Sequence, residues 1–79
     1  MDDAGIVRRI GELADEEHRL ERGHPHGLTD GDRARLQEIE VALDQCWDLL
    51  RQRRARRDAG QDPESASIRP ERTVEGYQQ

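Results

Sequence analysis

The chain has 79 residues, 39% of them charged, and a net charge of −5, a balance that argues against general affinity for nucleic acid. A chain of this size draws only about 3–5 kcal/mol from one core and turns to disulfides, metal or oligomerisation for more. The lone cysteine, Cys46, excludes an intrachain disulfide and fits a reducing compartment, and with Trp47 and Tyr77 as the only aromatic residues a large globular core is out of reach.

The first element runs from about residue 2 to 22. Ile6, Ile10, Leu13 and Leu20 recur at spacings of four, three and seven, which is one face of a helix. Asp2 and Asp3 sit where the positive end of the helix dipole favours acid. Glu17 occupies a stripe position, where a carboxylate must reach solvent or a partner. Gly11 costs about 1 kcal/mol relative to Ala in a helix interior. It reads as a tolerated defect rather than a point of close helix approach.

Residues 23–29 form the loop. Gly23 ends the helix through positive φ, and Pro25 disfavours helix at His24. So short a connection makes the flanking helices antiparallel neighbours.

The second element spans about 30–59. Thr29 is its N-cap, and Asp32 completes a capping box in place of the usual Glu. Leu36, Ile39, Leu43, Cys46, Trp47 and Leu50 form the stripe, flanked by Ala42 and Leu49. At about 100° per residue the set covers an arc of roughly 160°, wider than a two-helix seam requires. The helix ends in Arg51, Arg53, Arg54, Arg56 and Arg57. No lysine occurs in the chain, so all thirteen basic residues carry the planar fork that binds carboxylates and phosphates. Gly60 stops the helix. Residues 61–79 read as an extended or disordered tail, with Ile68, Val74 and Tyr77 as large apolar residues suited to anchoring in a groove.

These elements give an all-α antiparallel hairpin over residues 1–60, assembling into a bundle. The loop sets the register: Leu20 faces Leu36, Leu13 faces Leu43, Ile10 lies near Trp47 and Ile6 faces Leu50. The same register carries Asp2 and Asp3 to the neighbourhood of Arg53 and Arg54. Ala42 and Leu49 are left needing cover, which a second copy would supply. The expected hairpin and oligomer interface is therefore Ile6, Ile10, Leu13, Leu20, Leu36, Ile39, Ala42, Leu43, Cys46, Trp47, Leu49 and Leu50. A dimer is favoured, with an acidic protein partner for the arginine run as a further expectation. The leading expectation is thus a non-enzymatic, self-associating interaction module. The alternative is a small regulator docking on nucleic acid or a nucleic-acid-bound machine through the arginines of residues 51–57, not favoured because Trp47 is assigned to the core and is lost as a stacking platform.

Catalytic and metal chemistry find little support. His18, His24 and His26 lack the ligand spacing of a zinc site. Paired carboxylates such as Glu16 with Glu17 and Asp44 with Asp48 read as solvated-face charges, with Asp48 placed for Arg51, because a hairpin offers no cleft. The Glu-x-x-His pattern of di-iron bundles does not occur. Cys46 lies on the apolar stripe with no histidine near it, so it reads as a small hydrophobe. No catalytic, cofactor or metal residue is expected. No apolar run approaches the roughly 20 residues needed to span a bilayer, and Met1-Asp2-Asp3 lacks the character of a secretion signal, so the expected location is cytoplasmic.

Residues 38–57, EIEVALDQCWDLLRQRRARR, with TVEGY at 73–77 and IGELADEEHRL at 10–20, resemble an uncharacterised family of short proteins from GC-rich Gram-positive bacteria, the actinobacteria. The resemblance covers nearly the whole chain. It implies a bacterial origin and carries over no activity, cofactor or catalytic residue.

Overall fold

The computed structural model describes residues 1–23 and 26–70. Two helices, α1 (Asp3–Arg22) and α2 (Asp30–Asp58), pack against each other, and one 3-10 turn follows at Pro63–Ser65. The expected all-α hairpin is the observed fold. His24, Pro25, Val74 and Tyr77, with the expectations attached to them, lie outside the described residues.

Side chains placed before the first turn start both helices. The Asp2 carboxylate accepts from the Gly5 amide at 2.8 Å, satisfying one of the donors a helix start leaves open. At α2 the box is reciprocal: the Asp32 amide donates to Thr29 Oγ1 at 3.1 Å, and the Thr29 amide donates to Asp32 Oδ2 at 3.2 Å. Aspartate thus performs the role usually given to glutamate. Gly23 caps α1, but at φ −78°, so the positive φ expected there is absent. In the connection it falls instead at Gly27, φ 98°.

The end of α2 decides the rest of the architecture. Gly60 adopts φ 74°, its amide donates to the Arg57 carbonyl at 3.0 Å, and the Gln61 amide donates to the Arg56 carbonyl at 2.7 Å. This 6→1 and 5→2 pair is a Schellman stop, which turns the chain sharply off the helix. Asp62 then caps the 3-10 turn through the Glu64 amide at 2.9 Å.

Residues 61–70 do not trail into solvent. They fold back along α2 as a strap. The Gln52 side-chain amide donates to the Ser67 carbonyl at 2.7 Å, and that of Gln45 donates to the Arg69 carbonyl at 3.3 Å. Arg69 reaches Asp48 at 3.4 Å. Gln45, Leu49, Gln52 and Arg56 share one stripe at helical spacing, and the strap runs over it.

Three residues along this part of α2 depart from the sequence reading. Leu49, expected to lie uncovered, is 8% exposed. Asp48, read as a solvated charge, is 2% exposed and is held by the Gln52 side chain at 2.9 Å and by Arg69. Trp47, assigned to the core, is 49% exposed. The apolar arc of α2 has two edges; the strap covers the edge bearing Leu49 and leaves the one bearing Trp47.

Ile6, Leu13, Ile39 and Leu49 form the buried apolar core, while Ile10, Leu20, Leu36, Ala42, Leu43, Cys46 and Leu50 are half-buried. Among the described residues no buried side-chain nitrogen or oxygen lacks a hydrogen-bond partner.

Candidate interaction face at the arginine end

The arginine run divides between two jobs. Arg53 points inward and is 6% exposed. Its guanidinium donates to Asp3 Oδ1 through Nε, to Glu64 at 3.0 Å and to the Pro63 carbonyl at 3.4 Å. One side chain therefore ties the start of α1, the last turns of α2 and the strap together. The five donors of a planar guanidinium allow this, where a lysine ammonium would offer three without the fork. Arg53 is thus a structural cation, withdrawn from the docking role expected of it.

Asp3 is the other half of the clamp. Its second carboxylate oxygen accepts from Arg57 at 2.7 Å. Hydrogen bonds from Arg57 and Arg53 hold its pKa down at about 2, against an ordinary 3.8. The expected meeting of the acidic N-terminus with the arginine cluster occurs, at Asp3 with Arg53 and Arg57. Asp2 is engaged as the cap of α1.

A second ion pair pins the loop end. Arg35 of α2 forks onto Glu16 of α1, Nε to Oε2 at 2.6 Å and Nη2 to Oε1 at 2.8 Å, and reaches Glu38 at 3.1 Å. Hydrogen bonding to Arg35 lowers the Glu16 pKa, and the same contacts raise that of Arg35. Glu16 is thus an ion-pair partner rather than the solvated carboxylate that its sequence position suggests. Any of several acids and arginines near the loop could have paired; the structure selects these two. Glu17, the acid expected in the stripe, is half-buried.

Arg51, Arg54 and Arg57 are exposed, and Arg56 is half-buried. Asp3, Trp47, Leu50, Arg51, Arg54 and Arg57 line a shallow depression of about 310 Å³. Trp47, Leu50, Arg51 and Arg54 follow at i, i+3, i+4 and i+7, so they form one stripe of α2. Val7, one turn beyond Asp3 on α1, is 55% exposed. A half-exposed tryptophan with Leu50 beside a cationic row makes a small apolar surface with a charged rim.

The remaining reactive groups are few. Burial raises the pKa of the half-buried Cys46 thiol, with Arg9 opposing the shift, so the thiol stays protonated at neutral pH. His18 and His26 are exposed. Among the described residues no three His, Cys, Asp or Glu side chains converge as a metal site would require, and no helix is long and apolar enough to cross a membrane.

A strapped two-helix hairpin with one uncovered aromatic edge defines a class of small all-α proteins, not an activity. The chain belongs to the family described as "Protein of unknown function (DUF2630)", which it matches over residues 2–79. It is 46% identical over 77 residues to uncharacterized proteins of Mycobacterium bovis and of two strains of Mycobacterium tuberculosis, covering 95% of this chain and 88% of each relative. These relatives are actinobacterial, in keeping with the resemblance of the sequence motifs. No solved structure matches the chain.

Proposed function

We propose that the protein is a non-enzymatic interaction module of the bacterial cytoplasm that pairs with a second copy of itself through the Trp47 edge. The observation that carries this reading is the 49% exposure of Trp47 in a depression it shares with Leu50, Arg51 and Arg54. With four buried apolar residues among the described ones, so large an apolar side chain on the outside argues for a covered face. Trp47 would form the centre of a two-fold contact, with Leu50 adding area and Arg51 and Arg54 at the rim. Asp3, Glu16, Arg35 and Arg53 are engaged in ion pairs with each other and with neighbours, which supports a structural use of their charge.

Light scattering with mass determination across micromolar concentrations tests the proposal. The expected mass is that of a dimer, falling to a monomer in Trp47→Ala with the helix content unchanged. A wild-type chain that stays monomeric throughout this range overturns it.

The exposure of Trp47 also favours a second reading, docking on single-stranded nucleic acid. An aromatic ring beside arginines can serve as a stacking platform with phosphate contacts. Titration of labelled single-stranded DNA and RNA at two salt concentrations decides it, because binding through phosphates must weaken as salt rises. No binding at the lower concentration removes this reading.

A further inference from the structure

The Trp47 edge carries a charge pattern that complements itself when reversed. Glu40, Asp44, Trp47, Arg51 and Arg54 recur along α2 at spacings of four, three, four and three, so they form one outward stripe. Glu40, Trp47, Arg51 and Arg54 are exposed, and Asp44 is half-buried. The tryptophan therefore has two acids on one side of it along the helix and two arginines on the other. Glu40 and Arg54 are equidistant from it, each about 10 Å away along the helix axis. The arginines that hold Asp3, Arg53 and Arg57, lie off this stripe.

This pattern discriminates between occupants. A polyanion lying along the stripe would meet Arg51 and Arg54 at one end and carboxylates at the other. A second copy can meet its opposite at both ends, but in one orientation only. If the two-fold axis runs along the helices, the pair is parallel and each residue faces its own equivalent. Glu40 then meets Glu40 and Arg54 meets Arg54, and like charges oppose the contact. If the axis passes through Trp47 at right angles to the helices, the pair is antiparallel. Glu40 then faces the partner's Arg54, Asp44 comes level with the partner's Leu50 and Arg51, and the two tryptophans meet at the axis. The alternating spacing of four and three is also the period of a shallow crossing, near 20°, that keeps two helices in reach over several turns. About 10 Å from the axis such helices have separated sideways by only roughly 4 Å, which an arginine side chain spans.

Resting on the dimer reading above, we propose that the second copy docks antiparallel across the Trp47 edge, with the two-fold axis at Trp47 and the Glu40 carboxylate of each copy paired with the partner's Arg54 guanidinium. The contact is isologous, so both pairs form together and the assembly closes at two copies. The Trp47 rings supply the buried apolar area, and the charges set orientation and register. Exposed pairs contribute little each, so they select this arrangement rather than hold it.

Charge exchange tests the proposal, read as the dimer dissociation constant by analytical ultracentrifugation at low salt, with circular dichroism as the check on helix content. Glu40→Arg and Arg54→Glu are each expected to weaken the dimer roughly tenfold, because two symmetry-related pairs turn repulsive at once. The two substitutions move the net charge in opposite directions, so a shared weakening is not an effect of net charge. The double variant, Glu40→Arg with Arg54→Glu, restores opposite charges at both ends and is expected to recover the wild-type constant. In a parallel pair the single variants would still set like against like, as the wild type does. Unchanged affinity in them overturns the proposal, as does a double variant no tighter than the single ones. The underlying dimer reading is judged separately. A wild-type dimer lost in Trp47→Ala but indifferent to the charge substitutions leaves that reading standing and removes this one, whereas a monomeric wild type removes both.

Discussion

At the scale of single residues, two glycines make opposite demands on their backbones. Gly11 lies in the interior of α1, and a side chain built there would meet nothing within 4 Å. Glycine leaves more backbone freedom to lose on folding than alanine does, and no contact compensates for it. Gly11→Ala is therefore expected to stabilise the fold by about 1 kcal/mol, read as a higher midpoint in urea unfolding. Gly60 also has open space around it, yet its φ of 74° is a conformation that L residues avoid. Gly60→Ala is expected to destabilise by about 1–2 kcal/mol, because the Schellman stop that launches the strap requires that φ. The same denaturation series checks both, and equal effects from the two substitutions would contradict the assignment. The tolerated defect at Gly11 was legible from sequence, since propensity acts locally. The conformational role of Gly60 was legible only as a stop, because a stop does not say where the chain goes next.

At the scale of elements, the hairpin is held at its open end by the Asp3–Arg53–Glu64 clamp and at its loop end by the Glu16–Arg35 fork. Helix limits were readable because their causes are adjacent in sequence: Asp2 before α1, Thr29 with Asp32 before α2, and Gly60 after it. The approach of Asp3 to Arg53 was readable from the apolar register. The strap was not. Its hydrogen bonds run from glutamine side chains to backbone carbonyls, which leave no pattern in sequence, and its ion pairs select among thirteen arginines and eighteen acids. The clamp has a pH signature. The Asp3 carboxyl titrates at about 2 in the fold, against 3.8 ordinarily. As pH falls the unfolded chain takes up that proton first, so the contribution is complete above about pH 4 and is lost on the way to about pH 2. Asp3→Asn is expected to lower the thermal midpoint near neutral pH, and the gap from wild type to narrow through this window. Circular dichroism melts at pH 6, 4, 3 and 2 measure the gap; a constant gap would mean that the Asp3 charge does not support the clamp.

At the scale of the whole molecule, the question is which neighbour covers each edge of the α2 apolar arc. The apolar period sets the width of that arc, and width alone demands cover, but period carries no information on whether the cover comes from the same chain or another. The strap supplies it on the Leu49 side, which leaves Trp47, not Leu49, as the residue available to a second molecule. The two side chains should therefore respond oppositely to truncation. Leu49→Ala removes a side chain that is 8% exposed and opens a cavity between α2 and the strap, an effect worth about 2–5 kcal/mol. Against a total of about 3–5 kcal/mol for a core of this size, that loss is expected to unfold much of the population at 25 °C. Trp47→Ala removes a larger side chain, yet one that is 49% exposed, so in the isolated monomer the loss should stay closer to the roughly 0.5 kcal/mol of surface substitutions. Its effect should instead appear in the concentration dependence of unfolding. The wild-type melting temperature is expected to rise with protein concentration, as mass action requires of an associating fold, and that of Trp47→Ala to stay flat. Melts of wild type, Leu49→Ala and Trp47→Ala at two concentrations spanning a hundredfold range separate the two edges in one experiment. A wild-type melting temperature independent of concentration, with Trp47→Ala as destabilised as Leu49→Ala, would place Trp47 in the monomer core and remove the basis for the dimer edge.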